Sequence, residues 1–141
     1  MRFTAERRTE LLAIADRDAL VGLAQRCLPA REVEMTLPPE TGTLLLEVRE
    51  PVVGERFHLG EVLVTRAEVR VGTAAGWAMR MGDDRAATLA AAVCDAEVEA
   101  GRPLAGEVLA LCDATKRAER AARAAERAEL APTEVCFEEL D

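Results

Sequence analysis

Residues 55–71 read ERFHLGEVLVTRAEVRV, and how this stretch is divided decides the fold. Apolar and polar residues alternate with the period of a strand. The run is longer than the five or six residues of an ordinary strand. Gly60 is where it turns or bulges. Beyond it, Leu63, Thr65, Ala67, Val69 and Val71 point to one face of a sheet, and Val62, Val64, Arg66, Glu68 and Arg70 to the other. The same stretch carries the chain's only histidine, His58, and three arginines. It therefore reads as a solvated face, a catalytic site or a docking surface.

The whole chain narrows these choices. It has 141 residues, half of them hydrophobic and 31% charged, which fits one globular domain with a real core. Aromatics are 3% and tyrosine is absent, so the core must be built from Ala, Leu and Val. The net charge of −8 opposes a polyanion partner, and few aromatics are present to stack on bases. Nucleic acid is not expected as a partner. Lys116 is the one lysine. Every other cation is an arginine, whose planar fork suits carboxylates and phosphates. Cys27, Cys94, Cys112 and Cys136 form no C-x-x-C pair, so neither a zinc knuckle nor a dithiol redox motif is indicated. The N-terminus lacks the apolar centre of a signal peptide, and no run is long enough to span a membrane. The expected location is the cytoplasm, with reduced thiols.

Working outward, residues 4–15 predict a helix capped by Thr4, with Leu11, Leu12, Ile14 and Ala15 as its apolar stripe. A second helix follows Asp16-Arg17-Asp18. It buries Leu20, Val21, Leu23, Ala24, Cys27 and Leu28 and ends at Pro29. Residues 31–36 and 43–49 read as two strands of a hairpin, joined by a turn over Pro38-Pro39-Glu40-Thr41-Gly42. Pro51 and Gly54 mark the next turn, and residues 77–81 a further strand. Gly82-Asp83-Asp84 then opens an alanine-rich helix to about residue 100, with Ala86, Leu89, Ala90, Val93 and Ala96 or Glu97 inward. Such a face lets a helix approach a sheet closely. The last helix, 104–130, spans roughly 40 Å at 1.5 Å per residue. Its second half is Ala, Arg and Glu, with Glu119 and Arg123 as an i,i+4 pair. That half is either solvated or lies on a neighbouring subunit. Val135-Cys136-Phe137 could add an edge strand. The expected fold class is α+β in one domain: a helical hairpin (1–30), an antiparallel sheet of about four or five strands (31–81), helices (82–130) and a tail (131–141).

No self-contained catalytic set is visible. There is no serine for a triad, and His58 has no local cysteine partner or metal-ligand spacing. Two aspartates occupy the turn before the alanine-rich helix, so they cap it rather than leave its N–H groups for an anion. Arg66 and Arg70 share a face with Glu68 between them. That places them on a charged outer face, at a subunit interface, or near a phosphate.

The chain resembles the PhnG family, the G subunit of the carbon–phosphorus lyase core complex. The resemblance rests on PETG (39–42), ERF-x-x-GE-x-x-x-TRA-x-VR (55–70), Gly76-Trp77 and GDDRAATLAAAVCDA (82–96), and covers roughly residues 4–100. It differs where members often read Gly-Arg-Asp-Lys: this chain reads Met81-Gly82-Asp83-Asp84-Arg85 and lacks the basic residue beside the glycine. The resemblance implies a role in bacterial phosphonate catabolism. With the H, I and L subunits, the family supports displacement of adenine from ATP by methylphosphonate, giving ribose 1-methylphosphonate 5-triphosphate. The nucleosidase chemistry is attributed to the I subunit. The later radical cleavage is attributed to the J subunit with its iron–sulfur cluster and S-adenosylmethionine. The implied partners are the H, I and J subunits, each present twice, together with self-association; no cofactor is assigned to the G subunit. The contact candidates for substrate or partner are Glu40, Thr41, His58, Glu61, Thr65, Arg66 and Arg70, and none is expected to be catalytic or a metal ligand. An alternative is a non-enzymatic homodimer with a structural role.

Overall fold

The computed structural model describes residues 3–27 and 33–135. Thr4 caps the first helix, α1 (Ala5–Ile14), by accepting the Arg7 N–H at 3.2 Å. Asp16 does the same for α2 (Arg17–Cys27), accepting the Ala19 N–H at 2.9 Å. Leu11, Leu12 and Ala15 from the first stripe, and Leu20, Leu23, Ala24 and Cys27 from the second, are buried as their periodicity requires. Ile14 is not: it lies to one side of the face set by its neighbours and is exposed. Leu28, Pro29 and the start of the first expected strand lie outside the described residues.

The sheet has three antiparallel strands in the order β1-β2-β3: β1 (Val33–Arg49), β2 (Arg56–Val71) and β3 (Ala74–Met81). With the four helices this is the expected α+β class, on fewer and longer strands. Two of the expected breaks are irregularities within a strand, whereas the turn at Pro51 and Gly54 forms as expected. Pro38 to Gly42 is not a turn, because β1 runs straight through it, with register shifts between Met35 and Leu37 and between Leu37 and Glu40. The physical reason is position. β1 is an edge strand, and a bulged edge tolerates residues without an N–H. Gly60 is likewise a bulge site. Leu46 faces Gly60 and Glu47 faces His58, leaving Leu59 over.

β3 pairs only with residues 64–71 of β2, so the rest of β1 and β2 extends past the sheet as a two-stranded ribbon. Its tip is held by Glu50, whose carboxylate accepts the Val52 and Val53 N–H groups, and by Gly54 at φ 77°.

α3 (Arg85–Glu99) covers the face of the sheet that bears Thr65, Ala67, Val69 and Val71. It comes so close to β3 that a Cβ on Gly76 would sit 2.1 Å from the Ala92 carbonyl oxygen and 2.4 Å from the Ala96 nitrogen. The alanine-rich sequence makes this approach possible. The expected inward face was too narrow, and Ala86 is exposed. Every residue from 90 to 97 is buried, because α3 is packed by the sheet on one side and by α1, α2 and α4 on others.

α4 (Ala105–Leu130) has the expected length. Val108, Cys112 and Thr115 anchor its first half, while residues 120–130 are all exposed; the Glu119–Arg123 pair forms at 2.8 Å. Among the described residues, no helix is long and apolar enough to cross a membrane.

Candidate functional site

The outer face of the sheet, opposite α3, carries Arg66 and Arg70, as the alternation predicts. Both are half exposed, and both are ion-paired within the chain. Arg66 Nε donates to Glu40 Oε1 at 2.7 Å, and Arg70 Nη2 to Glu34 Oε2 at 2.6 Å. The pairs follow from register, since Glu40 lies opposite Arg66 and Glu34 opposite Arg70. Across β1 and β2 the base of the outer face is thus a ladder of opposite charges, and β3 sets Trp77, Met79 and Met81 beside it.

Thr65 points the other way and is fully buried. Its hydroxyl lies 2.9 Å from that of Thr41 and donates to the Gly82 carbonyl at 2.8 Å. Gly82 N–H donates to the Leu63 carbonyl at 2.9 Å. Two candidates, Thr41 and Thr65, therefore join β1 and β2 to the turn that launches α3. At that turn Asp84, not Asp83, is the cap. It accepts the Ala87 N–H at 3.0 Å and the Arg17 Nε at 2.7 Å. The Ala87 amide, and then Arg17, hold its carboxyl below the usual range.

His58 and Glu61 sit exposed on the ribbon, opposite Glu47 and Leu45. His58 is eight residues from Arg66, roughly 25 Å along a strand. The candidates thus fall into three places. Arg66 and Glu40 pair on the outer base, Thr41 and Thr65 link on the inner face, and His58 and Glu61 ride on the ribbon. A groove of about 420 Å³ beside Arg66 is lined by Glu40, Thr41, Gly42, Thr43 and Met79 among others, so these motif residues do share one concave surface.

Sequence reading assigns no role to four polar residues that organise the molecule, Arg8, Asp95, Arg80 and Glu97, the last read only as an inward alternative to Ala96. Arg8 of α1 is buried and donates to Asp95 Oδ1 at 2.7 Å and to Glu99. Asp95 Oδ2 also accepts the Trp77 N–H at 3.0 Å, which satisfies one donor on the open edge of β3. Burial pushes the Asp95 carboxyl upward, and the Trp77 amide and Arg8 pull it back. Arg80 donates to the Leu12 and Ala15 carbonyls at 2.6 and 3.1 Å, closing the end of α1. Buried Glu97 accepts Arg102 Nε at 2.9 Å and the Leu104 N–H at 3.0 Å, fixing the entry to α4. The available signal was an acid in an alanine run: Asp95 and Glu97 stand in a helix too apolar to leave them in water.

Comparison with curated proteins gives no match. The family described as phosphonate metabolism protein PhnG matches residues 4–140, extending the resemblance through α4. The chain belongs to the PhnG family and takes part in phosphonate metabolism.

Proposed function

We propose that the protein is a shaping subunit of the carbon–phosphorus lyase core assembly. In this role it supports transfer of methylphosphonate to the ribose of ATP with release of adenine, beside the H, I and J subunits. The observation that carries this reading is that the candidate polar groups at the sheet base serve the chain's own architecture. Arg66 and Arg70 are matched by Glu40 and Glu34, and Thr65 is held by Thr41 and Gly82. Groups so engaged suit a rigid scaffold better than a nucleophile or a general base, which must reach a substrate proton. The reading takes the described elements as a single structural unit acting in the cytoplasm.

The test has two parts. Co-expression with the other core subunits should give a complex that copurifies with this chain. Within that complex, Arg66→Ala should leave turnover of ATP and methylphosphonate within about twofold of wild type, as expected for a residue that contributes nothing selective to the transition state. A fall of a hundredfold or more with the complex intact would move Arg66 into a composite active site.

A further inference from the structure

The outer face of the sheet changes character along its length. At its base β1 and β2 carry the charged ladder just described, with Trp77, Met79 and Met81 of β3 beside it. On the ribbon the face is apolar. Leu44, Leu46 and Val48 of β1 share a face by alternation, and register places Val62 opposite Leu44 and Phe57 opposite Val48. Leu44, Leu46 and Phe57 are 43%, 38% and 44% exposed. The reverse side of the ribbon pairs Glu47 with His58 and Arg49 with Arg56 and carries exposed Leu45 and Leu63 toward the base, while Leu59 is left over and exposed at the bulge. A two-stranded ribbon has little stability alone, and an apolar stripe on it gains nothing from water.

We propose that the apolar face of the ribbon, residues 43–63, is a docking surface for a second, different polypeptide whose own contact face is apolar with a basic rim. Charge chooses this occupant. The ribbon is acidic: among residues 43–63, Glu47, Glu50, Glu55 and Glu61 outnumber Arg49 and Arg56. A second copy would bring the same acidic ribbon and a net charge of −8 against the first, so like charges would oppose self-pairing.

This inference rests on the reading of the protein as a subunit of a phosphonate-processing assembly. The experiment co-expresses the chain with the H, I and J subunits and recovers it by a tag, as wild type and as Leu44→Glu/Phe57→Glu. Both altered positions are solvent-exposed, so the double variant should melt within a few degrees of wild type. It should retain at least about tenfold less partner, as expected when a charge enters the centre of an interface. Hydrogen exchange of the wild-type complex should slow at 43–63 relative to the free chain. Equal partner recovery by the variant, or protection confined to other segments, overturns the docking surface and leaves the subunit reading standing. A wild-type chain that recovers none of the subunits overturns both. A free chain that sediments as a dimer, and loses that state in the double variant, overturns the choice of a different polypeptide.

Discussion

Two arginines show how differently one residue type works in this chain. Arg8 is buried against Asp95, whereas Arg66 is half exposed against Glu40. Removing a partner from a buried pair leaves an uncompensated charge, at a cost of about 3 kcal/mol. Breaking an exposed pair costs up to about 1 kcal/mol. Arg8→Ala should therefore lower the unfolding free energy by about 3 kcal/mol in urea titrations, and Arg66→Ala by less than about 1. Neither sequence position announces this difference, since Arg8 and Asp95 are far apart in the chain and only folding brings them together. Gly76 is the sharpest steric position. Its added methyl would meet the Ala92 backbone, which cannot swing aside. Gly76→Ala should destabilise the fold by about 3 kcal/mol, lowering Tm by about 10 °C. The described cysteines are the opposite case, inert by placement. Burial pushes the Cys27 and Cys112 thiols up to about 11 and Cys94 higher still. Peptide mapping after alkylation at pH 8 should find all three unmodified in the native protein and modified once it is unfolded.

Elements whose form is decided locally were legible in the sequence, and elements decided by a neighbour were not. The sequence predicts the long last helix at 104–130 and it lies at Ala105–Leu130, because Ala, Arg and Glu favour helix wherever they stand. The two prolines of β1 predict a turn, since nothing in the local sequence reveals that the strand lies at an edge where missing donors are tolerated. The ribbon was missed for the same reason: two strands can outrun their sheet only where the third one stops. The outcome for α4 has a measurable consequence. Its first half is pinned by Val108, Cys112 and Thr115, while residues 121–130 are all exposed. Helical hydrogen bonds without tertiary support open locally. Amides of 121–130 should exchange at least about a hundredfold faster than those of 108–115 in the free chain. Equal protection along the helix would show that something holds the arm.

At the scale of the whole molecule, the acidic surface is tied into the fold through carboxylates at element ends and along α4, and this sets its response to pH. Asp84 at the head of α3 is held low first by the Ala87 amide. Glu50 at the ribbon tip is held low by the Val53 amide. Glu119 is held low by Arg7, and Glu107 by Arg26. A carboxyl with a depressed folded-state pKa binds protons more readily in the unfolded chain. Its contribution is present above the unfolded value, about 4, and is lost as pH falls through the folded value. Asp95 acts in the opposite sense. Burial raises it, so its contribution declines as pH rises through its folded value, and it offsets part of the loss on acidification. Among the described residues, Asp84, Glu50, Glu107 and Glu119 are all held low, and their protonation predicts a fall in stability below about pH 4. Melting curves between pH 7 and pH 3 should show Tm descending at the acid end. Asp84→Asn isolates one contributor, because the amide oxygen can still accept the Ala87 N–H but no longer titrates with Arg17. That variant should melt lower than wild type at pH 7 and approach it at pH 3. A constant gap between the two curves would mean that the cap works by its hydrogen bond alone and that its charge adds nothing.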